Sequence, residues 1–134
     1  MATNKKVGNS FETEFCEYLS HFGFWVHNMA QNASGQPADV IAVRSGDAFL
    51  IDCKVCSHDV FNLSRIEENQ TLAMETWEDC GNDVGWFALK FREKTYMISL
   101  PALQQFSYRK SVVRPADAEC IGFELERWVE EVKW

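Results

Sequence analysis

Three ionisable residues stand in an otherwise apolar stretch of this chain: Asp39 near the start of QPADVIAVRSGDAFLIDCKV, residues 36–55, and Asp52 and Lys54 near its end. Alternate side chains of a strand share a face, so Asp52 and Lys54 point one way and the intervening Cys53 the other. The apolar runs ADVIAV and AFLIDCK flank Arg44, Ser45, Gly46 and Asp47, which reads as a hairpin with a glycine-containing turn. With those four residues as the loop, Val43 pairs with Ala48, and counting outward brings Asp39 opposite Asp52. Two carboxylates and an ammonium then converge at the end far from the turn. Charges in such a place cost several kcal/mol each unless they are paired or hold a metal. Two arrangements meet that requirement. One is an Asp–Lys ion pair at a strand end. The other is a site for a hard divalent cation, with Asp39 and Asp52 as oxygen ligands and Lys54 beside an activated water and the charge developing on a phosphate.

The neighbouring elements must position these groups. Phe11, Phe15, Leu19 and Phe22 recur at near-helical spacing behind Asn9 and Ser10, which predicts a helix capped at one of those two residues, running to about His21 and stopped by Gly23. Residues 24–29, FWVHNM, are aromatic and β-branched enough for a strand, and residues 31–37 carry loop chemistry. In residues 61–81, Ser64 and Glu67 have capping-box spacing, Ile66, Gln70, Ala73 and Trp77 share a helical stripe, and Gly81 is placed as the stop. Residues 85–91 and 95–100 read as strands joined by Arg92, Glu93 and Lys94, and Pro101 starts a short helix through Phe106. Beyond Arg114, residues 115–120 suit one helical turn, and residues 122–134 fit strand, helix or both. The order is helix, three strands, helix, two strands: an α/β domain with a central mixed β-sheet flanked by helices.

Composition sets bounds on this picture. A chain of 134 residues with 46% apolar content suits a single domain spanning 1–134, without low-complexity linkers. No apolar window approaches membrane-spanning length and no secretory h-region is present, which predicts a cytoplasmic protein without a membrane partner. The cysteines, five in number, follow no disulfide rhythm and are expected as free thiols. Cys53, Cys56, His58 and Cys80 contain one C-x-x-C and no second half, so no zinc is expected. His21, His27 and His58 have no Ser or Cys at triad spacing. Trp25, Trp77, Trp86, Trp128 and Trp134 are assigned to core and dimer contacts.

A net charge of −7 opposes nucleic-acid binding at first sight. Between Lys90 and Arg114, however, six basic residues face one acid, Glu93. A basic face and chance clustering both fit that distribution.

Pro37-Ala38-Asp39 and Asp52-Cys53-Lys54, the second aspartate 13 positions after the first, resemble the PD-(D/E)XK signature of the restriction-endonuclease-like nucleases, whose αβββαβ core the element order also resembles. Gly8, Phe11 and Glu12 are similar to the G-x-x-F-E opening of archaeal Holliday junction resolvases. FNLSRIEENQ, residues 61–70, resembles the F-x-L-x-x-I-x-x-x-Q segment of RecU-type resolvases, as do the next two strands and YRKSVVR. The likeness to the Hjc/RecU type runs from Gly8 to about Asp117. Asp52 stands where Glu is usual, and residues 27–37 are short for the RecU stalk.

The resemblance implies a metal-dependent endodeoxyribonuclease that resolves four-way DNA junctions as a homodimer, hydrolysing phosphodiesters to leave a 5′-phosphate and a 3′-hydroxyl. Its site would comprise Glu12, Asp39 and Asp52 with the main-chain carbonyl of Cys53 as ligands of Mg²⁺ or Mn²⁺, Lys54 on the attacking water, and Gln70 helping to position it. Glu12 and Glu14 lie about 200° apart on a helix, so only one can face the sheet, and Glu12 matches the family. DNA contacts would fall to Lys5, Lys6, Ser34, Arg65, Lys90, Arg92, Lys94, Arg109, Lys110 and Arg114. Two alternatives are a nuclease of flaps or other branched DNA and a catalytically inactive DNA-binding module. The setting expected is a bacterial cell or a phage-infected host.

Overall fold

Helix α1 (Asn4–His21) begins earlier than its expected cap, because residues 4–9 contain no proline and only one glycine to oppose it. Asn9 and Ser10 lie inside the helix and not at its start. The computed structural model describes residues 4–29 and 38–132, with the side chains of α1 from Ser10 onward. Phe11, Phe15 and Leu19 form the buried stripe of α1, while Phe22 beyond its end is exposed. Strands β1 (Trp25–Asn28), β2 (Val40–Arg44) and β3 (Asp47–Cys56) follow as an antiparallel meander.

The β2–β3 register has Val43 opposite Ala48, as the hairpin count requires, but pairing continues one step further to Arg44 and Asp47. The connection is therefore a two-residue turn. Ser45 (φ 54°) and Gly46 (φ 86°) both take positive φ, the hand that matches the twist of a hairpin.

Residues 61–81 divide into more pieces than a single helix. Phe61 and Asn62 form strand β4 (Phe61–Asn62), a 3-10 turn spans Leu63–Arg65, and helix α2 covers Glu68–Asp79. The capping box sits three residues later than expected, with Glu67 at the N-cap and Gln70 at N3, whose side chain accepts the Glu67 N–H at 3.1 Å. The shift has a local cause: the Asn62 side chain accepts the Ser64 N–H at 3.0 Å, so Ser64 is used in a turn of its own.

Strands β5 (Trp86–Phe91) and β6 (Lys94–Ser99) form a second hairpin, with Phe91 and Lys94 paired across Arg92 and Glu93. Helix α3 (Leu100–Phe106) is capped by the Ser99 hydroxyl, which accepts the Ala102 N–H at 3.2 Å. The C-terminal third holds β7 (Val112–Val113), α4 (Pro115–Ile121), β8 (Phe123–Glu124) and α5 (Leu125–Glu131). Residues 122–132 are thus both strand and helix, and α4 is longer than one turn.

The main sheet is six-stranded, in the order β1-β2-β3-β5-β6-β8, and mixed because β3 and β5 run parallel with α2 as their crossover. A separate ribbon pairs β4 with β7, Phe61 against Val113 and Asn62 against Val112. Two cores result. Phe49, Ile51, Ala88 and Met97 face α1 and α5, whereas Leu50, Phe87, Leu89 and Ile98 face α2, α3 and the ribbon. Arg44 ties the chain's end to this frame: its guanidinium donates to the carbonyls of Phe22, Val129 and Val132 and stacks 4.1 Å from the centre of the Phe24 ring. All five cysteines are free thiols.

Candidate active site

Strand β3 alternates between the two cores, so Asp52 and Lys54 share the face of Leu50, and Cys53 turns to the α1 face with Ile51 and Val55. Asp52 is 2% exposed, a position that apolar side chains fill elsewhere on the strand. Its Oδ1 accepts from the Gln70 amide at 3.2 Å. Its Oδ2 lies 3.1 Å from Lys54 Nζ, an ion-pair distance, yet that buried oxygen has no hydrogen bond of good geometry.

Asp39 arrives from the start of β2. Its N–H donates to Ile51 O at 3.1 Å, which extends the β2–β3 ladder by one bond and sets Asp39 beside Asp52. Its Oδ2 accepts the Cys53 N–H at 2.9 Å, taking a main-chain donor that the departing strand leaves without a carbonyl. Glu12 approaches from the other side, half-buried on α1 next to Phe11. Gln70 is fixed by its helix: with Oε1 accepting the N-cap N–H, its amide nitrogen must face Asp52.

These carboxylates perturb one another. Burial pushes the Asp52 carboxyl up to about 8, the Asp39 charge adds to the rise, and Lys54 only partly opposes it. Glu12 is pushed up to about 7, by burial first and then by the charge of Asp39 and a hydrogen bond to it. Cys16, one turn along α1 from Glu12, rises to about 11 through burial and the same acidic surroundings. Such a concentration of negative charge in a desolvated place is unfavourable without a compensating cation.

The donor set is oxygen-rich, as a hard divalent ion requires, with three mutually perturbing carboxylates against the one ammonium of Lys54 among the described residues. Among the described residues, no three His, Cys, Asp or Glu side chains already surround one point, because the carboxylates are turned onto each other, onto Cys53 N–H and onto Lys54. The residues fit such an ion in kind and neighbourhood.

The architecture and the residues together carry a family assignment. The family model for the archaeal Holliday junction resolvase (Hjc) matches residues 3–133, nearly the whole chain. The chain belongs to this family. It is a Holliday junction resolvase, an endonuclease, with the restriction-endonuclease-like fold. The solved structure of Hjc from Archaeoglobus fulgidus, a Holliday junction resolvase from an archaeal hyperthermophile, superposes with a TM-score of 0.69 at 18% identity over 95% of this chain and 98% of that one. No curated protein matches the sequence. The family is archaeal, which lends no support to the bacterial or phage setting expected above. Among the described residues, no helix of the resolvase is long and apolar enough to cross a membrane.

The structure gathers Glu12, Asp39, Asp52, Lys54 and Gln70, and Cys53 lies among them. The expected DNA contacts are dispersed. Lys90 is ion-paired with Glu14 at 3.5 Å, Arg92 with Asp59 at 3.0 Å, Lys94 with Glu124 at 3.2 Å and Lys110 with Asp117 at 3.4 Å. Arg65, Arg109 and Arg114 form no ion pair among the described residues. Lys5 and Lys6 fall in α1 at positions whose side chains are not described, and Ser34, Pro37 and Trp134 lie outside the described residues. Of the tryptophans assigned to contacts, Trp128 is 2% exposed in the core and Trp25 is 63% exposed on the edge strand.

Sequence reasoning placed Gln70 on a helical stripe but missed its second role as the residue that closes the N-terminus of α2. The signal was present as Glu67 and Gln70 at capping-box spacing, with Glu in the place usually held by Ser or Thr.

Proposed function

We propose that the resolvase cuts four-way DNA junctions by phosphodiester hydrolysis at a site made of Glu12, Asp39, Asp52, Lys54 and Gln70, using Mg²⁺ or Mn²⁺. Glu12, Asp39, Asp52 and the main-chain carbonyl of Cys53 would hold the ion. When bound, it supplies Lewis acidity and charge neutralisation at the scissile phosphate. The excess of carboxylates carries this reading: Glu12, Asp39 and Asp52 perturb one another around the single ammonium of Lys54 among the described residues, and a divalent cation offsets the remaining negative charge.

Among the described residues Lys54 is the one ammonium on the β3 face beside Asp52, and it hydrogen-bonds the attacking water and a non-bridging phosphate oxygen. Gln70 holds Asp52 Oδ1 in place, and the Cys53 N–H does the same for Asp39. Water adds to phosphorus as the bond to the 3′-oxygen breaks. The new 5′-phosphate keeps the added oxygen, and the 3′-oxygen takes a proton from solvent.

Symmetric resolution needs two such sites, which a homodimer provides. A groove of about 600 Å³ beside the site supports a second copy of this chain as its occupant: Met29, Ile41, Leu50, Leu72, Trp77 and their neighbours line it, with no charged residue among the described ones. In a chain of net charge −7, an uncharged face is where two copies meet with least repulsion. Leu72, 56% exposed, projects from this face.

The reading is tested by incubating synthetic four-way junction, linear duplex and flap DNA with wild type or Asp39→Ala in Mg²⁺, Mn²⁺ or chelator. Symmetric, metal-dependent cutting of the junction by wild type alone is expected, with binding retained in the variant. Equal cutting of all substrates would remove the junction preference. Activity in Asp39→Ala would remove the assigned site.

A further inference from the structure

The acids of this chain outnumber its bases, 20 to 13, so an arginine without a carboxylate partner is conspicuous. Three of them share one neighbourhood. Arg109 and Arg114, with Lys110, Ser111 and Val112, line an open cleft of about 460 Å³ in the loop that joins α3 to β7 and continues to α4. Arg65 comes from the 3-10 turn beside it, since Leu63 N–H donates to Ser111 O at 3.0 Å and Asn62 pairs with Val112. The single carboxylate in the cleft, Asp117, is already used: it accepts the Arg114 N–H at 3.0 Å and holds Lys110 at 3.4 Å. Its role is to shape the loop, and it leaves the guanidinium groups to other partners.

This cluster is fixed relative to the catalytic strand. Arg65 Nη1 donates to Val55 O at 2.9 Å, the residue immediately after Lys54, while the guanidinium lies 5.5 Å from the centre of the Phe61 ring. Phe61 and Val113, one of the two residue pairs of the β4–β7 ribbon, are fully buried in the same core that holds Leu50 and Cys56, on the face of the sheet from which Asp52 and Lys54 project. The ribbon is therefore fixed beside the site by packing and by the Arg65–Val55 hydrogen bond, and the Arg109 and Arg114 guanidinium groups in the cleft are planar forks suited to bidentate binding of phosphate oxygens.

We propose that Arg109 and Arg114 form a phosphate-binding cleft, with Arg65 on its flank, in which the ribbon grips the sugar–phosphate backbone of one duplex arm of the junction next to the scissile bond. The ligand's identity rests on the resolvase reading above; the cleft itself rests on geometry. The grip supplies affinity that offsets the acidic balance of the chain. It is indifferent to sequence, because it touches backbone alone.

The test measures binding of a labelled four-way junction by fluorescence anisotropy in chelator, from roughly 50 to 300 mM salt, where each lost phosphate contact flattens the log–log salt dependence by about 0.9. Arg109→Ala/Arg114→Ala is expected to weaken low-salt binding about tenfold or more and to lower the slope by about two. Arg92→Ala/Lys94→Ala removes the same charge from residues paired with Asp59 and Glu124, and is expected to keep the wild-type slope. An unchanged slope in the first pair, or equal losses in both, would overturn the proposal. Wild-type junction cleavage with Mg²⁺, assayed in parallel, separates the two claims. A flattened slope without cutting removes the resolvase reading and leaves the cleft, whereas cutting with an unchanged slope removes the cleft alone.

Discussion

The carboxylate pocket and the arginine ribbon lie on one face of the same sheet and handle charge in opposite ways. In the pocket, Asp52 is buried and turned toward Gln70 and Lys54, with its carboxyl raised to about 8. On the ribbon, Arg65, Arg109 and Arg114 are exposed and form no ion pair among the described residues. Buried charges are expensive and tightly placed, which suits chemistry that depends on fractions of an ångström. Exposed arginines cost little and act through long-range attraction, which suits the capture of a charged polymer. Changes in the pocket should therefore alter catalysis and stability, and changes on the ribbon should alter affinity and its salt dependence.

The largest effect is expected from Lys54→Ala, which removes the cation beside the reacting phosphate. Junction cleavage at saturating DNA should fall by about 10² to 10³-fold while binding stays near wild type. A fall in binding equal to the fall in rate would break the division of labour between the two regions.

The pH dependence of stability follows next. In the metal-free protein the Asp52 carboxyl moves from 3.8 to about 8 and Glu12 from 4.5 to about 7, so the folded state binds more protons than the unfolded state across that window. Stability is then greatest at the acid side and falls as pH rises from about 4 to about 8. Melting at pH 8 should occur below melting at pH 5.5 by roughly 8 °C, a loss on the order of 2 kcal/mol. Asp52→Asn, which cannot ionise, should flatten the profile and raise the melting temperature at pH 8. A wild-type profile that climbs over this range would contradict the placement of both carboxylates.

A moderate effect is expected at Gln70, which belongs to the pocket and to the start of α2. Gln70→Ala should lose about 1–2 kcal/mol in denaturant unfolding, through the missing cap and the Asp52 hydrogen bond, and should slow cleavage as well. Loss of stability with full activity would reduce Gln70 to a helix cap. The smallest effect on the fold belongs to Arg65→Ala. Stability should change by less than about 0.5 kcal/mol, while junction affinity falls and its salt dependence flattens.

How much of each region was legible in the sequence follows from the same contrast. Asp39, Asp52 and Lys54 could be brought together by counting, because alternation within β3 and the Val43–Ala48 register are local rules anchored by the Ser45 and Gly46 turn. Glu12 and Gln70 reach the pocket from helices elsewhere in the chain, and only likeness to a family pattern placed them. The ribbon was not legible at all. Its strands are two residues long and come from segments about fifty residues apart, so no periodicity marks them. The basic cluster from Lys90 to Arg114 was visible as composition, but composition could not separate Lys90, Arg92, Lys94 and Lys110, which the fold pairs with acids, from Arg109 and Arg114. Phe123 to Glu131 stayed ambiguous because β8 is held by partners distant in sequence, through its pairing with Tyr96 and Met97, and α5 by burial of Leu125, Trp128 and Val129 under the sheet.

The central claim is that the buried carboxylates are a divalent-cation site, and thermal melting at pH 8 with increasing Mn²⁺ tests it most directly. A ligand that binds only the folded state raises the melting temperature progressively with its concentration. Wild type should climb with Mn²⁺ and return to its starting value on addition of chelator, and Asp39→Ala should remain flat. Equal climbs in both proteins, or none in wild type, would contradict the account.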